Sequence, residues 1–112
     1  MPDDAPAFFV EAMGRAKRDG RPVIIDFWAE WCAPCNKLKA VTMANSEVAE
    51  ALGGVEVIFV DLDEYPQLAK AYAVKSIPYV FFVKANGSIV DRLKQFEEAV
   101  PFLERVKGLQ VP

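Results

Sequence analysis

The sequence contains no histidine and only two cysteines among its 112 residues. A cysteine–histidine hydrolase is therefore excluded, because such an enzyme needs an imidazole to activate its thiol. A closed zinc site normally takes four cysteine or histidine ligands, of which this chain offers two. A zinc site would need carboxylates or a second chain to complete it, so we expect no metal.

Long apolar runs and clusters of basic residues are also lacking. No apolar segment approaches the roughly 18 residues of a membrane-spanning helix, so we expect no membrane span. Lysine and arginine are scattered and the net charge is −3, which argues against a nucleic-acid partner. The first four residues, 1–4, lack the basic and apolar regions of a secretory signal. We expect a cytoplasmic protein; a periplasmic or exported one is the alternative if a signal peptide was removed.

The remaining composition is that of an ordinary globular protein, with 53% hydrophobic and 26% charged residues. A chain of this length can bury roughly two-thirds of its unfolded surface in one core. We therefore expect residues 1–112 to form a single domain, and we expect it to be a monomer.

The two cysteines lie in Trp31-Cys32-Ala33-Pro34-Cys35, directly after the apolar run Val23–Trp28. Two thiols three positions apart can close a disulfide if the first lies at a helix N-terminus and the second one turn in. Pro34 suits a first helical turn, which predicts a helix beginning at or near Cys32. The unpaired amides and dipole of that helix would lower the Cys32 pKa below the value of about 8.5 for a free thiol. Cys32 is thus the candidate nucleophile, and we expect its sulfur to be exposed.

Inert thiols and a purely structural disulfide are the alternatives to a redox pair. A disulfide that closes so short a loop removes little entropy from the unfolded chain, so its structural benefit is small. In a reducing cytosol, two cysteines more often indicate catalysis than a structural crosslink. We therefore favour a reversible redox pair.

Hydrophobic periodicity and turn residues predict alternating helices and strands. The runs Val23–Trp28 and Val55–Val60 are too continuous for half-exposed strands, so we expect both to be buried. A first helix, capped by Asp3 or Asp4, should end at Gly20. The other predicted elements are a helix from Cys32 that kinks or breaks within 41–45, a helix over 47–52 capped by Asn45 or Ser46, a helix over 66–72, strands over 79–83 and 88–93 around an Asn86-Gly87 turn, and a helix over 97–108.

This order of elements, with the segment 26–35, Asp61-Leu62-Asp63 and Ile77-Pro78, resembles the thioredoxin family along nearly the whole chain. The resemblance implies an α/β fold with a central mixed sheet of four strands in the order 2-1-3-4. Helices would flank the sheet, and the N-terminal helix would stand in place of a clear first strand. The segment Cys32–Val48, with Thr42 and Asn45-Ser46-Glu47-Val48, also resembles the carboxy-terminal domain of the transmembrane electron carrier DsbD.

The resemblance implies a thiol:disulfide oxidoreductase that reduces protein disulfides through its Cys-Ala-Pro-Cys couple. Cys32 would attack the substrate disulfide, and Cys35, shielded one turn deeper, would resolve the mixed disulfide. Asp26 is the family's candidate for the proton acceptor of Cys35. The implied partners are disulfide-containing proteins and an upstream reductase or dithiol donor, with no bound cofactor.

The surroundings of Asp26 depart from the family pattern. Where many thioredoxins carry a lysine on the adjacent strand, this sequence has Phe59. We therefore expect Asp26 to lose the cation of the adjacent strand and to gain apolar cover. Both changes favour the neutral carboxyl group and raise its pKa.

The resemblance also implies a substrate-binding surface. Its members would be Trp31, Ala33, Pro34, Ile77 and Pro78, with a cis peptide bond between Ile77 and Pro78. Backbone polar groups of Ile77 would be available to an extended peptide. Two alternatives stay open: an exported reductant domain similar to that of DsbD, and a non-enzymatic module that binds peptides near Trp31 and Pro78.

Overall fold

The computed structural model describes residues 4–110. Its strands are β1 (Val23–Trp28), β2 (Glu56–Asp61), β3 (Tyr79–Val83) and β4 (Ile89–Leu93). Its α-helices are α1 (Ala7–Asp19), α2 (Ala33–Lys37), α3 (Ser46–Ala51), α4 (Pro66–Ala71) and α5 (Ala99–Leu109). A π-helix over Leu38–Thr42 continues α2, and a short 3-10 turn over Leu52–Gly54 follows α3.

The four strands form one mixed sheet in the order β2-β1-β3-β4, as expected. Strand β1 pairs in parallel with β2 and antiparallel with β3, and β3 pairs antiparallel with β4. The parallel pair requires a crossover, which α2, the π-helix and α3 provide. The antiparallel pair β3–β4 needs only a turn, in which Gly87 adopts a positive φ of 91°.

Side chains alternate between two hydrophobic cores on opposite faces of the sheet. On one face, β1 contributes Ile25 and Phe27 to a core with α1 and α4. On the other face, Ile24 packs in a core with the π-helix, α3 and α5. Because β1 is central and covered on both faces, its continuous apolar sequence is explained, and the prediction of a buried strand over Val23–Trp28 is confirmed.

Strand β2 differs from the prediction. Only Ile58 and Val60 are buried, and Phe59 is 40% exposed. The strand lies at the edge of the sheet, next to β1 alone, so one side of it is less covered. The expectation that it would be buried like β1 is therefore wrong.

The helix boundaries follow the local signals in most places. Gly20 ends α1 in the left-handed conformation, and the Asn45 side chain caps α3 by accepting bonds from the amides of Glu47 and Val48. The predicted cap of α1 is wrong, because its N-cap is Pro6 and no side chain caps it. Asp4 lies in the turn before the helix, and Asp3 lies outside the described residues.

The predicted interruption after the cysteine helix is present, as a change of helix type. The π-helix ends at Thr42, whose buried hydroxyl donates a hydrogen bond to the carbonyl of Glu97, before α5. A turn then leads to the Asn45 cap. The segment that carries the cysteines is thereby connected to the last helix, which begins at Ala99 with Pro101 in its first turn.

Candidate active site

The two cysteines are joined in a disulfide at the start of α2. Cys32 is the N-cap residue, with extended backbone angles of φ −89° and ψ 100°, and Cys35 lies one turn into the helix. The Cα atoms are 5.3 Å apart, within the usual range for a disulfide. The predicted helix start at Cys32, with Pro34 in the first turn, is confirmed.

The helix start provides a hydrogen-bond donor to the Cys32 sulfur. The backbone N–H of Cys35 donates to Sγ of Cys32 at 3.3 Å. The first amides of a helix have no partner within the helix, and they form the positive end of its dipole. When the disulfide is reduced, the same amide is placed to favour a thiolate on Cys32.

Both cysteines are buried in the disulfide form. Cys32 is 4% exposed and Cys35 is 1% exposed, so the expectation of an exposed Cys32 is wrong, whereas that of a shielded Cys35 is confirmed. Trp28, Leu62 and Ile77 pack around the pair and account for its burial.

Exposed residues adjoin the buried disulfide on both sides of Cys32. Trp31 is 68% exposed, and Ala33 and Pro34 are exposed as well. A strip of accessible surface therefore adjoins the buried disulfide.

The loop before β3 closes the other side of the disulfide. The Ile77–Pro78 peptide bond is cis, as the resemblance implied. Ile77 is partly buried and packs against the cysteine pair, whereas Pro78 is buried. Of the five predicted substrate-binding residues, Pro78 is thus the least accessible, and the other four have surface that a ligand can touch.

Asp26 is completely buried in the middle of β1. It pairs in register with Phe59 of β2, as predicted, and with Val80 of β3. Within residues 4–110, neither carboxyl oxygen has a hydrogen-bond partner. Burial raises the pKa of Asp26 to about 7, which confirms the predicted direction.

Asp26 has a cation nearby, although not on the adjacent strand. Lys39, in the π-helix, opposes the effect of burial by lowering the pKa of Asp26. Sequence reasoning missed this residue because it searched the neighbouring strand for a cation. The sequence did contain a signal for Lys39. This residue follows Cys35 by four positions, and residues at that spacing lie on the same side of a helix.

Two further features are absent from the described part of the chain. Residues 4–110 contain no group of three or more cysteine or acidic side chains placed to hold a metal ion. Over the same residues, no helix has the length and apolar character needed to cross a membrane.

The sequence of residues 8–106 matches the family model described as Thioredoxin. The chain belongs to the thioredoxin family. A thioredoxin of Rickettsia felis is 41% identical over 71 residues, which are 62% of this chain and 64% of that protein. The matched region spans 61–64% of the length of each of the first five curated relatives of this family member.

Solved structures of two kinds resemble this thioredoxin-family chain. A thioredoxin from Thermus thermophilus has a TM-score of 0.80 at 28% identity, with 92% of this chain and 84% of that chain covered. The carboxy-terminal domain of DsbD from Neisseria meningitidis, in its reduced form, has a TM-score of 0.75 at 31% identity, with 91% and 94% covered. Both resemblances stated from the sequence are therefore supported by structure.

Proposed function

We propose that this protein is a thiol:disulfide oxidoreductase that reduces disulfides in other proteins. The observation that carries the proposal is the Cys32–Cys35 disulfide at the start of a helix, with the Cys35 amide directed at the Cys32 sulfur. Membership in the thioredoxin family supports the same chemistry.

In the proposed reaction, the reduced protein begins with a Cys32 thiolate. This thiolate attacks one sulfur of a substrate disulfide, a bond forms between the two sulfurs, and the other substrate sulfur leaves as a thiolate. Cys35 then loses its proton and attacks Sγ of Cys32. The second substrate sulfur leaves, so that the substrate gains two electrons while the Cys32–Cys35 disulfide forms.

We assign the proton transfer of the second step to Asp26. Its carboxyl group is buried on the face of β1 that also carries Trp28, and Trp28 packs against the cysteine pair. With a pKa of about 7, this group is able both to accept and to release a proton near neutral pH. Asp26 would receive the proton that leaves Cys35.

The substrate would lie along the exposed strip formed by Trp31, Ala33 and Pro34, next to Ile77 and Pro78. Trp31 offers the largest apolar surface of the five, and an aromatic ring of this kind is a common anchor for a partner protein. The backbone of Ile77 would pair with an extended segment of the substrate.

Turnover requires an electron donor that returns the disulfide to the dithiol. We propose an upstream reductase or a dithiol donor, with the protein acting as a monomer in the cytoplasm. The similarity to the DsbD domain favours a second candidate, a periplasmic or exported reductant with another donor. In both cases the chemistry at Cys32 and Cys35 is the same.

Insulin reduction by dithiothreitol tests the proposed function. We expect the wild-type protein to accelerate the reaction and the Cys32→Ser variant to give the rate of dithiothreitol alone. Cys35→Ser is the matched control, because it also lacks the internal disulfide but keeps the attacking sulfur. This variant should accumulate mixed disulfides with target proteins, and mass spectrometry of these would identify the targets and the compartment.

Two results would count against the proposal. One is that the reduced wild-type protein does not accelerate the reduction of insulin. The other is a Cys35→Ser variant that forms no more mixed disulfides than Cys32→Ser, which would favour a binding module whose thiols play no part.

A further inference from the structure

Lys39 places a positive charge over the sheet beside Asp26. Its Nζ atom is 3.2 Å from the ring centroid of Trp28 and 4.5 Å from that of Phe59. Trp28 follows Asp26 by two positions in β1, so both side chains point to the same face. Phe59 is the register partner of Asp26 in β2. The two rings that contact the ammonium group therefore border the carboxyl group.

The charged and titratable groups around Asp26 come from few elements. The π-helix contributes Lys39, which acts on Asp26, and Asp61 at the end of β2 attracts Lys39 in turn. The register partner on β3 is the apolar Val80. When the protein is reduced, the thiols at the start of α2 add two further titratable groups.

The two carboxylates near Lys39 differ in their other contacts. Oδ1 of Asp61 already accepts hydrogen bonds from the amides of Asp63 and Glu64, at 2.9 and 3.3 Å. The oxygens of Asp26 have no such partner within the described part of the chain, and they are buried. A nearby cation thus contributes more to stabilising the charged form of Asp26 than that of Asp61, because no hydrogen-bond donor within the described residues stabilises the Asp26 carboxylate.

We propose that Lys39 is a positioning residue for the thiol–disulfide exchange proposed above: its ammonium group supplies the positive charge that prepares the Asp26 carboxylate to accept the Cys35 proton. The charge comes from the helix above the sheet, in place of a lysine on the adjacent strand. Lys39 keeps its own protons throughout. The proton passes from Cys35 to Asp26, while the electron pair of the Cys35 sulfur forms the bond to Cys32 and the substrate sulfur leaves Cys32 as a thiolate.

The local contacts explain why a lysine can serve in this position. An ammonium group over two aromatic rings is partly stabilised by their negative faces, so it can remain charged while it is partly buried. Burial lowers the pKa of Lys39, and Asp26 is the largest influence that raises it again. The attraction between the two groups therefore lowers the pKa of Asp26 and raises the pKa of Lys39, as expected for opposite charges.

The test is a carboxyl NMR titration of Asp26 in the oxidised protein, combined with the pH dependence of insulin reduction. Replacing Lys39→Met keeps most of the side-chain volume and removes the charge. We expect the Asp26 pKa to rise from about 7 to roughly 8. The pH at which the rate is half its maximum should move upward with it, and Lys39→Arg should restore both values.

Lys37→Met is the matched control. Lys37 lies two residues earlier and its Nζ is also stacked on an aromatic ring, that of Phe96 at 4.4 Å. The substitution removes the same charge and the same type of contact at a different ring. We expect the titration of Asp26 to be unchanged in this variant. If Lys39→Met does not fold, Lys39→Gln replaces it as a polar, uncharged variant.

The inference rests on the proposed function, but the two can fail separately. An Asp26 titration that is unchanged in Lys39→Met, or that moves equally in Lys37→Met, overturns the role of Lys39. A shift at Asp61 without one at Asp26 overturns it as well. A wild-type protein without reductase activity instead contradicts the proposed function, whatever the titration shows.

Discussion

The indole Nε1 of Trp31 donates a hydrogen bond of 2.8 Å to Oδ2 of Asp63. The tryptophan precedes the first cysteine, and the aspartate lies in the turn after β2, so the bond joins two loops at the same end of the sheet. A side chain that is 68% exposed would otherwise be free to rotate. The bond therefore holds the Trp31 ring in one orientation beside the disulfide.

We predict that Asp63→Ala loosens Trp31 with little effect on folding. The Trp31 indole N–H should exchange with solvent faster in NMR, and the catalytic efficiency with insulin should fall roughly threefold, as expected for an exposed hydrogen bond worth about 0.5–1 kcal/mol. Asp63→Asn keeps an acceptor oxygen and should resemble the wild type. If the Ala variant matches the Asn variant in exchange and in activity, the bond does not orient the ring.

The raised pKa of Asp26 predicts that stability of the oxidised protein falls as the pH rises. The folded protein holds the Asp26 proton up to about pH 7, whereas the unfolded chain releases it near pH 4. In this interval the native state binds more protons, so the free energy of unfolding decreases with pH. The stabilising effect of the protonated group is complete below pH 4 and is lost as the pH passes 7.

Asp26→Asn should remove this dependence. We expect the stability of the variant relative to the wild type to improve by about 2–3 kcal/mol between pH 5 and pH 8, measured by urea denaturation of the oxidised proteins. Comparing the two pH values cancels the cost of burying an amide, which is the same at both. If the difference in unfolding free energy between Asp26→Asn and the wild type stays constant with pH, Asp26 titrates normally.

Local sequence signals predicted much of the fold. Strand β1 was predicted with its observed bounds because its run of β-branched and aromatic residues needs cover on both faces, which a central strand has. Gly20 and Asn45 mark helix ends through their own backbone and side-chain chemistry, so their positions could be read without tertiary information.

The errors arose where the outcome depends on residues far apart in the chain. Strand β2 has a sequence similar to that of β1, but its burial depends on its position at the edge of the sheet. The cation near Asp26 was sought on that strand, whereas Lys39 reaches it from the π-helix. The burial of Cys32 depends on Leu62 and Ile77, which only the folded chain brings to it.

Arg105 connects α5 to two acidic residues that precede it. Its Nη1 donates to both carboxyl oxygens of Asp91 in β4, each at 2.8 Å, and its Nε and Nη2 donate to Glu97 at 2.8 and 3.0 Å. The guanidinium group is planar and has five N–H donors, so it can serve both carboxylates at once. These bonds connect α5 to β4, the strand at the edge of the sheet.

We predict that Arg105→Met lowers the free energy of unfolding by about 2 kcal/mol, because it leaves two partly buried carboxylates without their donor. Arg105→Lys should recover less than half of this loss, since an ammonium group cannot reproduce the paired bonds. Arg18→Met is the control, because the ion pair of Arg18 with Asp19 is largely exposed and should contribute less than about 0.5 kcal/mol. Urea denaturation is the suitable measurement, as urea does not screen charges. Equal losses in the Arg105→Met and Arg18→Met variants, or full recovery by lysine, would show that the paired geometry contributes nothing beyond charge.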